Sequence, residues 1–343
     1  MARYAQVVGQ SLEGKEGLQV QTVHLAPAAD QLRKWPAKLR STVHHRTIRR
    51  QALGLKGHAL YHLLDGSHGY VLDQLPDGAR KVVTCHDFIP LLHVNGALPG
   101  RPNPLSRRVI QQSLQALGEA DAVLCDSALT QNAFTQEHPD FRGLRQVIHL
   151  PLGNGWPASE PTHSAGKNAY IFHIGNNAAY KNRMGVLRIF DRIAVNWSGE
   201  LVMAGDPPTK EMQQFVESKH LKARVTFKVH PEDEELRGLY RGASLFLFPS
   251  LVEGYGWPPL EATACGCPVV ASGVGALPDI LGQEGAVLHA PGDEAAYAAS
   301  CMELLNDPVR CSELVQQAQR KLATLTLENF GQQLVDVYRE LAP

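Results

Sequence analysis

Two carboxylates, Glu253 and Glu261, bracket the string EGYGWPPLE with seven residues between them. Inside it, Gly254, Tyr255 and Gly256 make a turn whose glycines let the backbone approach a ligand without a Cβ in the way. Pro258 and Pro259 then set up a helix start, and the dipole of a helix amino end favours an anion. Before the turn, residues 244–249 form an apolar run that reads as a buried strand of a parallel sheet; residues 267–271 read as the next one. Strand, glycine turn, helix and strand within thirty residues put the turn at the carboxyl end of a strand, where open α/β sheets bind ligands. A diphosphate suits such a place. Glu253 beside it makes sense as an acceptor for hydroxyls of the same ligand, whereas Glu261 has an ordinary alternative as a first-turn carboxylate of the capping-box kind.

A second constellation has the same chemistry. Gly175, Asn176 and Asn177 follow the apolar run 169–174, and Lys181-Asn182 heads the helix that runs on to residue 195. A glycine turn with a lysine on the entering helix supplies a point charge beside free amides. Taken alone, Lys181 is an ordinary surface lysine. Gly205, closing the strand 201–204, lies at another strand end. His86, after the strand 81–84, sits where a histidine is about as often structural as functional, while Asp87 is expected to cap loop amides and Asp126 or Ser127 to cap the next helix.

EGYGWPPLEATACGCPVVAS resembles the donor-site signature of retaining glycosyltransferases of group 1, the family four type, and VVTCHDFIPLL resembles that family's histidine motif. The resemblance implies a GT-B fold: α/β, two doubly wound Rossmann-like domains facing across a cleft. It implies that Glu253 lies near the transferred sugar, that Glu261 binds the ribose, that amides around Gly254, Tyr255 and Gly256 touch sugar and phosphate, and that His86 contacts the donor sugar and the acceptor side. Gly175, Asn176, Lys181 and Asn182 match the diphosphate turn, and Gly205 lies near the base. Many relatives carry an arginine where Asn176 stands, so one of two expected charges is absent, and Arg183 compensates only if geometry allows. His86, Glu253 and Lys181 are the expected catalytic residues. The expected reaction moves a hexose from a nucleoside diphosphate sugar to a hydroxyl of a glycan or lipid-linked acceptor in cell-envelope or polysaccharide synthesis. CHDFIP tilts this toward mannose and a GDP donor. Retention follows from the likeness, with front-face attack preferred to a covalent intermediate on Glu253. Alternatives are a nucleotide-sugar epimerase of related fold and a non-catalytic sugar-nucleotide-binding protein.

The elements that must position these residues fill a chain of 343 residues, long for one core. The expected division is an N-terminal acceptor-side domain over 1–152, a Gly-, Pro- and Ser-rich linker over 153–168, a nucleotide-sugar domain over 169–325, and a last helix, 326–343, crossing back to the first domain. Residues 18–25 alternate and read as a strand. The chain opens directly on an amphipathic helix, whereas the family has a strand before it; the N-terminal sheet is therefore expected either to lack that first strand or to be rearranged, or the true start lies upstream.

A net charge of −1 provides no global field for nucleic acid. The six cysteines include no C-x-x-C pair, which fits reduced thiols and a cytoplasmic protein. No Asp-x-Asp motif offers a metal site beside a diphosphate, and no cofactor is implied, the sugar nucleotide being a substrate. Residues 33–56 carry Arg33, Lys34, Lys38, Arg40, Arg46, Arg49, Arg50 and Lys56 with no acidic residue. That segment reads as a solvated helical face or, more sharply, as a patch resting on the anionic inner face of a membrane.

Overall fold

The computed structural model describes residues 2–26, 37–100, 102–153, 155–156 and 169–342. Most of the expected linker, and residues 33–36 of the basic segment, lie outside the described residues. The chain divides into two compact units, Met1–Leu150 with Leu327–Pro343, and Pro151–Thr326.

In the first unit, helices α1 (Ala2–Leu12) and α2 (Ala37–Leu53) precede strand β1 (Leu60–Leu63), a 3-10 segment (Gly66–Gln74) and β2 (Arg80–Cys85). Then come α3 (Ile89–Val94), α4 (Pro104–Ala116), β3 (Ala122–Cys125), α5 (Ala128–Glu137) and β4 (Leu144–Val147). The four strands pair in chain order and are all parallel. Among the described residues no strand precedes α1, and β1 forms one edge of the sheet. Residues 18–25, expected to be a strand, join no ladder. Only Leu25, at the end of the segment, packs on a core cluster, while Val20 and Val23 are both exposed, and a side-chain bond from His58 to Gln21 stands in place of a backbone ladder. The expected closing strand at 146–150 falls earlier, at β4.

The second unit runs β5 (Tyr170–Gly175), α6 (Arg183–Ile193), β6 (Glu200–Gly205), α7 (Lys210–Ser218), β7 (Val225–Val229), α8 (Asp233–Gly242), β8 (Leu245–Phe248), α9 (Trp257–Ala264) and β9 (Val269–Ser272). Two short helices, α10 (Leu277–Ile280) and α11 (Gly282–Gly285), lead to β10 (Val287–His289), α12 (Glu294–Leu305) and α13 (Pro308–Leu322). Its sheet is parallel in the order β10-β9-β8-β5-β6-β7. Helices must therefore cross over between strands and cover both faces, which is why β8 reads LFLF without alternation and is buried throughout. Ile171, Met203, Leu245, Leu247 and Val270 pack with Val186, Ile189 and Phe190 of α6 and Tyr297 of α12. At roughly 1.5–3 kcal/mol per fully buried large apolar side chain, such a layer fixes the strand ends rigidly.

The last helix, α14 (Leu327–Leu341), belongs to the first unit and packs on α1. The approach is so close that a Cβ on Gly331 would overlap Ser11 O, and Lys15 pairs with Glu328 at 2.6 Å.

Candidate functional site

The strand order of the second unit reverses beside β5: β6 and β7 continue on one side, while β8, β9 and β10 lie on the other. At such a switch point the loops leaving the two central strands part in opposite directions and open a crevice at their carboxyl ends. The loops in question are the glycine turn after β5 and the 249–256 segment after β8. They meet through Lys181 and Glu253, whose Nζ and Oε1 lie 2.6 Å apart with side chains only 16% and 7% exposed. The ammonium also lies 5.2 Å from the centroid of the Phe248 ring and 5.3 Å from that of Tyr180. Seventy-two residues of sequence separate this ion pair, so only the parallel sheet brings it together.

The two loops are also stitched by main-chain contacts. Leu251 N donates to Tyr180 O (2.7 Å), and Asn182 Nδ2 donates to Pro249 O (3.0 Å). Asn182 has φ 51° and ψ 38°, a left-handed conformation that asparagine tolerates better than most residues, and it caps the backbone entry into α6. One N–H of its amide thus ties the two loops together. Gly175 pairs in register with Gly205, whose φ is 113° and on which a Cβ would overlap Gly175 O. Asn176 is exposed, and its Oδ1 accepts from Ala178 N (3.1 Å). Asn177 joins the two turns, its N donating to Asp206 Oδ2 and its Nδ2 to Pro207 O, both at 2.9 Å.

Gly256, with φ 91°, forms the N-cap of α9, and a Cβ there would meet Leu277 Cδ2 at 2.8 Å. Gly254 and the buried Tyr255 complete the turn. Pro258 and Pro259 have no N–H, so the amino end of α9 offers an anion its dipole and fewer amides than an ordinary helix. The 273–277 loop packs on this turn: Ala276 N donates to Gly254 O (3.1 Å) and Leu277 N to Val274 O (3.3 Å). Glu261 is buried within α9, and its Oε2 accepts from Tyr240 OH at 2.8 Å.

His86 belongs to the other unit. Its Nδ1 lies 2.9 Å from Asp126 Oδ2 and its Nε2 3.0 Å from Leu64 O, so the ring donates to the Leu64 carbonyl and shares a proton with the Asp126 carboxyl, which burial holds above the usual carboxylate range. Burial alone would push the imidazolium down, but the bond to Asp126 and its charge hold it above the usual histidine range. The edge of Tyr4 stands on the ring, centroids 4.7 Å apart. Both ring nitrogens are therefore engaged inside the unit. Of the two expected caps Ser127 takes the role, accepting from Thr130 N at 3.0 Å, which leaves Asp126 to His86. Asp87 caps as expected, accepting from Ile89 N at 2.8 Å.

All six cysteines are free and buried. Among the described residues, no group of three or more His, Cys, Asp or Glu is placed to hold a metal ion, and no helix is long and apolar enough to cross a membrane.

A family model described as "Glycosyl transferases group 1" matches residues 156–321. An O-antigen chain mannosyltransferase B from Escherichia coli is 29% identical over 176 residues, 50% of this chain and 46% of the relative. A D-inositol 3-phosphate glycosyltransferase from Salinispora tropica is 39% identical over 322 residues, 85% of this chain and 66% of the relative. The chain thus spans between about half and two thirds of these relatives. Among solved structures, Anabaena HepE in complex with UDP and glucose superposes with a TM-score of 0.70 at 18% identity, covering 88% of this chain and 83% of HepE, which speaks for a shared fold.

Proposed function

Because the chain belongs to the group 1 glycosyltransferases and has two Rossmann-like domains, we propose that it moves a hexose from a nucleoside diphosphate sugar to a hydroxyl of a glycan or lipid-linked acceptor in cell-envelope or polysaccharide synthesis. The observation that carries this reading is the Lys181–Glu253 pair at the switch point of the second unit. A largely buried cation and carboxylate held together at the ends of two central strands are what a sugar nucleotide requires: one group for the leaving diphosphate, the other for sugar hydroxyls.

On donor binding, the diphosphate takes Glu253's place at Lys181, and the released carboxylate accepts hydrogen bonds from the sugar. Lys181, the dipole of α9 and turn amides then stabilise charge growing on the leaving diphosphate. Protein cations doing this work make a metal unnecessary. Front-face attack, with the leaving phosphate taking the acceptor's proton, gives retention. Glu261 serves the ribose through the carboxylate that Tyr240 orients. His86, with both nitrogens engaged, acts through position and charge, tying the loop after β1 to the ends of β2 and β3. Mannose as the sugar, with GDP as its carrier, is supported by the mannosyltransferase name of the relative above, and none of the relatives named here is an epimerase. Exposed Arg40, Arg46 and Arg50 on α2, a helix without an acidic residue, suit contact with an anionic membrane near a lipid-linked acceptor.

The test is titration with GDP-, UDP- and ADP-sugars while free nucleoside diphosphate is followed, with and without acceptor. Acceptor-dependent release supports transfer; isomerised sugar nucleotide without release, or binding without turnover across acceptors, overturns it.

A further inference from the structure

Arg183 begins α6 directly after Lys181 and Asn182, yet it is only 4% exposed. Its Nη1 donates to Asn177 Oδ1 at 2.5 Å and to Asp206 O at 2.8 Å, which fixes it beneath the Gly175–Asn177 and Gly205–Pro207 turns. The other edge is different. Nε and Nη2 are buried without a hydrogen-bonding partner, as are His173 Nε2 and Ser250 Oγ. His173 Nε2 is beside the turn, 3.2 Å from where a Cβ on Gly175 would stand, and Ser250 follows β8 on the facing loop. Asp206 is the acidic neighbour; its carboxylate accepts from Asn177 N, and of Asp206 the guanidinium bonds only the main-chain carbonyl.

A buried guanidinium lacking a carboxylate hydrogen bond and with unmet N–H groups is costly to the fold. Lys181, by contrast, is neutralised by Glu253. The second unit thus keeps a buried positive charge, offset only in part by the nearby Asp206 carboxylate, beside the two glycine turns, while the turn's own exposed side chain, Asn176, is neutral.

We infer that Arg183 is the second cation of the donor site, acting on the diphosphate from beneath the glycine turns as a positioning and charge-supplying residue without touching the ligand. Resting on the donor-site reading above, this names the group that completes its charge. Arginine suits the place because it stays protonated when buried, and Asn177 and the Asp206 carbonyl hold its fork in plane.

The test compares GDP and UDP with guanosine and uridine as probes, by calorimetry on the full chain, for wild type, Arg183→Gln and Arg183→Lys. Loss of charge should weaken the nucleoside diphosphates at least tenfold and the nucleosides less than twofold, with Arg183→Lys within threefold of wild type for both. Asn176→Arg placed in the Arg183→Gln background should recover most of the loss, since a cation on the exposed turn reaches the same phosphates. Equal weakening of nucleosides and diphosphates, or failure of Asn176→Arg to recover any binding, overturns the inference and assigns Arg183 to the fold alone. Should Arg183→Gln not fold, Arg183→Lys decides: a tenfold selective loss for the diphosphates contradicts a role in charge. Wild type that binds neither GDP nor UDP sinks the donor-site reading itself, a result distinct from the others.

Discussion

Replacing Lys181 by methionine keeps most of the side chain's volume and removes its charge. It leaves Glu253, 7% exposed, without its partner 2.6 Å away. Breaking a fully buried ion pair costs about 3–5 kcal/mol. Lys181 is 16% exposed, so water entering along its path relieves part of that, and a loss of about 2–3 kcal/mol is expected. Glu253→Gln leaves the more accessible partner and should cost about 1 kcal/mol. The double variant strands neither charge. Its loss should fall short of the sum of the two by about 1–2 kcal/mol, the coupling of groups in direct contact. For a unit the size of Pro151–Thr326, roughly 2–4 °C per kcal/mol translates the Lys181→Met loss into a fall of about 4–12 °C in Tm. Urea and thermal melts followed by tryptophan fluorescence suit the purpose, since Trp156, Trp197 and Trp257 all belong to this unit. Strict additivity, or a Lys181→Met chain as stable as wild type, would refute the claim that the pair is a buried, mutually dependent element.

Two other outcomes are expected. Burial holds the imidazoles of His62 and His173 down at about 3, so both stay neutral in the folded units while the unfolded chain takes up protons below about 6.5; stability should therefore fall with pH between those values, by about 1.4 kcal/mol per pH unit for each. His173→Gln should flatten that slope in denaturant titrations of the second unit, and an unaltered slope would contradict it. Glu261→Ala should mainly weaken donor binding, measured by calorimetry, whereas His86→Ala should mainly lower turnover; equal binding losses with unchanged turnover in both would defeat the role assignment.

Much of the second unit was legible because its strands are uninterrupted apolar runs and its helices announce their ends. Asp293 and Asp307 cap α12 and α13. The first unit was less legible. Residues 18–25 alternate like a strand but leave Val20 and Val23 exposed, and Gly66–Gln74 mixes glycines with the buried run Tyr70, Val71 and Leu72, which fits neither period. In the site, the glycine turns were legible at strand ends because their backbone geometry is local. Partnerships were hidden because they depend on register. His86 and Asp126 each follow a cysteine, and Cys85 pairs with Cys125 across two parallel strands, so the likeness of VVTCHD to AVLCDS was the signal that could have joined them. Nothing local could have shown that an N–H of the Asn182 amide reaches Pro249 O, or that Arg183 turns inward under the turns.

The central claim is that the crevice between the ends of β5 and β8 holds a sugar nucleotide between Lys181 and Glu253. Its most direct measurement is a crystal structure of the chain soaked with a nucleoside diphosphate sugar that it binds in solution. The account predicts the Lys181–Glu253 contact broken, phosphate oxygens within hydrogen-bonding distance of Lys181 Nζ, and sugar hydroxyls on the Glu253 carboxylate. A ligand seated elsewhere, or one bound with that ion pair intact, would contradict it.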